Sequence, residues 1–132
     1  MKKLLFAVLC LTFASQCVYA AKLVRTENID VTLSAKSDEA VGKAIFDAAK
    51  ARKWMPEKRG DNEIIATLIS RNHMVAVSIV YSKDGYSIAY KDSKNMNYNA
   101  RRKLIHSKYK QWIETLNKDI TNKFFAQNAL EF

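Results

Sequence analysis

Three features of this 132-residue chain predict an α+β single domain in the order βαβββα: an antiparallel four-stranded sheet with two helices on one face. Apolar residues alternate with strand period over three runs between 63 and 91. Two other stretches carry apolar residues at spacings of three and four, and the turn residues fall between runs instead of inside them. Strands that follow one another across short turns pair antiparallel, and helices outside that run cover the sheet from one side.

After a short lead from Ala21, Ile29, Val31 and Leu33 alternate with Asp30 and Thr32, which predicts a first strand over 27–34. Ser37 then suits a helix N-cap, with Asp38 and Glu39 placing negative charge in the first turn. Val41, Ala44, Ile45 and Ala48 recur at helical spacing, so the first helix runs to about Lys53. Trp54 packs where it ends, and Pro56, Gly60 and Asp61-Asn62 mark an exit loop. Strands follow at 64–71, 74–81 and 86–91. Asn72-His73 closes the first pair, and Asp84-Gly85 closes the second as a turn that needs positive φ at both central residues.

Counting across these turns puts Ile64, Ala66, Leu68, Val75, Val77, Ile79, Tyr81, Tyr86, Ile88 and Tyr90 on one face, the core face. The opposite face carries Ile65, Thr67, Ile69, Ala76, Ser78, Val80, Ser87 and Ala89. That face is more apolar than an open solvent face normally is, which leaves three readings: cover by the terminal segment, ordinary tolerance of exposed apolar atoms, or a surface for a partner protein or a second copy in a homodimer. The final helix, over 107–127, is the clearest element, because Tyr109, Trp112, Ile113, Leu116, Ile120 and Phe124 share one stripe.

Ahead of the domain, residues 1–20 read as an export signal: Lys2 and Lys3, an apolar run from Leu4 to Phe13, and cleavage after Val18-Tyr19-Ala20. The apolar run is too short for a membrane span, which needs roughly 20 residues. The expected address is the periplasm, with the domain at 21–132. The alternative is a lipid anchor through Cys17, although Gln16 is larger than the residue that normally precedes an acylated cysteine, as Leu9 is before Cys10. Cleavage removes both cysteines, so disulfides, cysteine catalysis and thiolate metal sites leave together. Loss of Lys2 and Lys3 takes the formal charge from +9 to +7. Outside the cytoplasm, a basic surface meets lipid headgroups, lipopolysaccharide, wall polymers and acidic proteins instead of nucleic acid.

Ala66-Thr67-Leu68, Arg71, His73, Ala76, Tyr81, Tyr86-Ser87-Ile88, Tyr90, Ser93, Asn95, Ile105-His106, Tyr109, Trp112 and Leu116 give residues 66–120 their character. In them the chain resembles a family of small exported proteobacterial proteins described as lipoproteins or periplasmic proteins of unknown function. The resemblance covers about half of the exported chain. It implies an α+β domain with an envelope address and brings no established activity or ligand.

Within that stretch, residues 92–106 join the last strand to the last helix and are dense in binding groups. Ser93 and Asn95 form a polar loop. Arg101, Arg102, Lys103, His106 and Ser107 form a candidate anion site, on the reading that a helix starting at Ser107 points its free N–H groups and positive dipole end at the same ligand. His73 and His106 are the only histidines and lack metal-ligand spacing, so neither a metal nor a cofactor is expected. Asp92, Ser93 and a histidine make a triad only on paper, without a nucleophile elbow. The tyrosines sit at core positions rather than as a stacking platform. The expected function is therefore non-enzymatic binding of an anionic envelope component or partner protein. The alternative is a small hydrolase-like enzyme built around His73, Ser93 and His106.

Overall fold

A computed structural model describes residues 22–129. The predicted signal at 1–20 lies outside the described residues. Seven strands and two helices follow one another as β1 (Leu23–Arg25), β2 (Ile29–Thr32), α1 (Asp38–Ala51), β3 (Met55–Arg59), β4 (Glu63–Ser70), β5 (His73–Ser82), β6 (Gly85–Lys94), β7 (Leu104–His106) and α2 (Lys108–Ala129).

The α+β class and both helices match the expectation, but the single four-stranded sheet does not. The strands form a five-stranded antiparallel sheet in the order β2-β6-β5-β4-β3 and a separate two-stranded ribbon of β1 and β7. β3 occupies what reads as a loop. Its Pro56 pairs with Ala66 on an edge strand, where a missing N–H costs the sheet nothing, and Gly60 to Asn62 close the β3–β4 hairpin. β1 and β7 are three residues each, too short to show a period.

Both hairpin turns sit one residue earlier than expected. Ser70 pairs with His73 and Ser82 with Gly85, leaving Arg71-Asn72 and Lys83-Asp84 at the turn centres. Each register moves by two, so every side chain keeps its predicted face. Gly85 has the expected positive φ, 145°, but stands at the start of β6 and not at the turn centre. It lies opposite Thr32, and a Cβ there would stand 2.0 Å from the Val31 carbonyl oxygen, so β2 can reach β6 only past a glycine.

α1 begins where the Ser37 side chain accepts the Ala40 N–H at 3.2 Å. It packs over β3, β4 and β5 and beside α2. Val41, Ala44, Ile45 and Ala48 of α1, Ile113, Leu116, Ile120 and Phe124 of α2, and Ile64, Val75, Val77, Ile79 and Ile88 of the sheet fuse into one core. Arg52 at the end of α1 grips Asp119 of α2 through two hydrogen bonds, 2.7 and 3.1 Å. The helices therefore cover one sheet face together.

The other sheet face has no element packed on it among the described residues. Ile65 and Ala76 are shielded by their neighbours, whereas Met55, Ile69 and Val80 stand more than half exposed. Strand alternation also places Asp30, Glu57, Glu63 and Asp92 on this face, against the cations Arg59 and Lys94. On a basic protein this is an acidic surface.

Candidate functional site

β6 runs on to Lys94, past the predicted end at 91, because a bulge between Ala76 and Val77 lets it resume pairing. The chain then turns at Asn95 and Asn97, both at positive φ, with Met96 buried between them as an anchor. His106 donates its backbone N–H to the Met96 carbonyl at 2.9 Å, and Asn99 bridges Leu104. Residues 92–106 thus form an ordered, folded-back segment and not a simple connection between strand and helix.

The polar residues of this segment are spent on holding it. The Asn95 side chain donates to the Asn72 carbonyl at 2.5 Å, and the Asn95 carbonyl accepts from the His73 ring at 2.8 Å, tying the β4–β5 turn to the end of β6. A carbonyl can only accept, so His73 carries its proton on Nδ1. Ser93 shares a 2.8 Å hydrogen bond with the Tyr90 hydroxyl, and Tyr90 stacks on Tyr98 at 4.2 Å between ring centroids. The tyrosines at this end are packing residues, with Tyr109 fully buried and its ring edge against Tyr90.

His106 and Ser107 lie away from the basic run. α2 starts at Lys108, and the Lys108 N–H already donates to His106 Nδ1 at 3.1 Å, so the imidazole occupies the helix start. Strand β7 intervenes between that point and residues 101–103, about 10 Å of extended chain. The expected partnership of helix dipole and arginine pair is therefore not formed. The two imidazoles hold different tautomers, since His106 accepts through Nδ1 while His73 donates through Nδ1 and keeps Nε2 as an acceptor. The rings lie 6.4 Å apart between centroids, and no cluster of three metal-binding side chains occurs among the described residues.

The anionic-ligand candidates Arg101, Arg102 and Lys103 occupy the turn between Asn99 and Leu104, all three exposed. Strand pairing adds residues that sequence reasoning missed. β1 runs beside β7 with Arg25 opposite Leu104 and Leu23 opposite His106, while the Thr26 N–H donates to the Lys103 carbonyl at 3.0 Å. The Ser107 N–H donates to the Lys22 carbonyl at 2.9 Å, bringing Lys22 beside Lys108. The chain segments that meet here, 22–26 and 97–110, contain Lys22, Arg25, Arg101, Arg102, Lys103, Lys108 and Lys110 and no Asp or Glu. Lys110 reaches Glu114 at 4.0 Å; no carboxylate pairs with Arg25, Arg101, Arg102 or Lys103 among the described residues. The signal for this patch was the alternation Leu23-Val24-Arg25, three residues long and unreadable until its partner strand is known.

The ribbon has two unlike faces. Val24 and Ile105 point into the molecule, Ile105 with no exposed surface. Leu23, Arg25, Leu104 and His106 share the outer face. Nearby, a cleft of about 360 Å³ between the chain after β1 and the start of α2 has Arg25 and Lys110 facing Glu27 and Glu114, a mixed wall that suits no single ion. Comparison with protein-family models, curated proteins and solved structures finds no match for this chain.

Proposed function

We propose that this protein is a non-enzymatic binding domain of the cell envelope that holds an anionic partner on the β1–β7 ribbon and its turn. The reading is carried by one observation: β1–β7 pairing brings Lys22 and Arg25 alongside the strand that follows Arg101, Arg102 and Lys103, and none of Arg25, Arg101, Arg102 and Lys103 is paired with a carboxylate among the described residues. Like charges brought together on folding repel one another, and a multivalent anion relieves that repulsion. The acidic open sheet face makes the positive charge uneven over the molecule, which favours a located patch over a uniformly solvated surface. The periplasmic address rests on the export pattern of residues 1–20.

The enzymatic alternative draws less support. Ser93 is bonded to Tyr90, and each histidine ring uses Nδ1 on backbone, so these hydrogen bonds do not join Ser93, His73 and His106 into a nucleophile–base pair. The test of the binding reading is titration of the chain from Ala21 with polyphosphate. Binding that weakens at least tenfold in Arg101→Glu/Arg102→Glu, with an unchanged circular-dichroism spectrum, is expected. Unchanged affinity would remove the ribbon as the site.

A further inference from the structure

Resting on that reading, we infer that the anionic partner is a lipid bilayer surface, met by the outer face of the ribbon with Leu23 and Leu104 entering the headgroup layer. A soluble polyanion asks only for charge, and the ribbon offers more. Leu23 is 42% exposed at the centre of the cationic patch, where a residue serving charge alone would be polar. Leu104 lies diagonally across from it on the same face, half-buried, so the two leucines form one small apolar ridge. Arg25 lies directly opposite Leu104 on the same face, Lys22 adjoins Leu23, and Arg101, Arg102 and Lys103 lead into Leu104, all of these cations exposed. Apolar residues inside a basic rim are the arrangement that binds interfacially, with burial and attraction to anionic headgroups acting together.

Chain geometry adds a second argument. β1 is the first element after the export segment, and Leu23 follows Cys17 by six residues. Extended chain spans at most about 3.3–3.6 Å per residue, so an anchor at Cys17 would hold the ridge within roughly 20 Å of the bilayer. Both fates of the signal therefore leave the ribbon within reach of the lipid. No helix among the described residues is long and apolar enough to cross a membrane.

The acidic open sheet face of another copy is the rival occupant, since it carries Met55, Ile69 and Val80 among carboxylates. It lacks the high density of negative charge that Arg25, Arg101, Arg102 and Lys103 together match, and it includes Arg59 and Lys94.

The test is vesicle flotation of the chain from Ala21, with phosphatidylglycerol–cardiolipin vesicles compared with phosphatidylcholine ones, alongside the polyphosphate titration. Binding to anionic vesicles only is expected, weakened about fivefold for each cation removed in Arg101→Ala and Arg102→Ala. Leu23→Ser should weaken vesicle binding and leave polyphosphate affinity unchanged. Polyphosphate binding without flotation would overturn the lipid inference and spare the proposed function; loss of both would overturn both. Equal flotation with neutral vesicles, insensitivity to Leu23→Ser, or assembly of copies in place of flotation would each overturn the inference.

Discussion

Gly42 shows how closely α1 is seated. A Cβ there would stand 2.8 Å from the ring of Tyr81, which is buried and whose hydroxyl donates to the Asp61 carbonyl at 3.2 Å. Overpacking of that kind costs about 1–3 kcal/mol, against about 1 kcal/mol gained from alanine's helix propensity. Gly42→Ala is therefore expected to lower the urea midpoint, despite replacing a glycine inside a helix. Tyr109 presents the opposite case: its hydroxyl is buried with no hydrogen-bond partner, and burial holds it far above the ordinary tyrosine range. Removing an unpaired hydroxyl gives back its desolvation, so Tyr109→Phe should match the parent or gain up to about 1 kcal/mol in equilibrium unfolding. Asp38 joins three segments, accepting from the Asn62 side chain at 3.0 Å and from the Lys83 backbone N–H at 2.7 Å. The Asn62 hydrogen bond, then the Lys83 N–H, hold its carboxyl below the ordinary value of 3.8. The unfolded chain takes up that proton more readily, so the contribution is complete above about pH 4 and is lost as pH falls through the folded value. The stability difference between the parent and Asp38→Asn should shrink on acidification below pH 4 and stay constant from pH 5 to 7.

Elements with a long period were legible in the amino-acid sequence. The stripe from Tyr109 to Phe124 forms α2, the Ser37 cap starts α1, and the alternation from Ile64 to Ile88 sorts core from open face correctly even though both turns are displaced by one residue. Displacement of a turn moves register by two, and side-chain direction has period two, so the error leaves the faces intact. What the chain hid are its short strands. β3 carries Pro56 and three charged residues, a composition that protects an edge from pairing with other chains and also disguises it as loop. β1 and β7 have only three residues each and are defined by each other across about eighty residues of chain. The candidate site was half legible for the same reason. Arg101, Arg102 and Lys103 stand out as a run, but Lys22 and Arg25 join them only through β1–β7 pairing, and His106 proves to be the acceptor that starts α2.

The molecule divides its charge and its apolar surface among three sides. Two helices seal one sheet face; the other face is open, apolar and acidic; the ribbon beside the start of α2 collects cations around Leu23. This division makes the location of charge, rather than its total, the central claim. The direct measurement compares two double variants with the same change in net charge: Arg101→Glu/Arg102→Glu on the ribbon turn and Lys58→Glu/Lys118→Glu on β3 and α2, all four positions exposed. Titration with polyphosphate at fixed ionic strength should leave the second variant within about twofold of the parent while the first falls at least tenfold, because screening confines each charge to roughly 8–10 Å. Equal losses in the two variants would mean that overall charge alone drives binding, and would contradict the account.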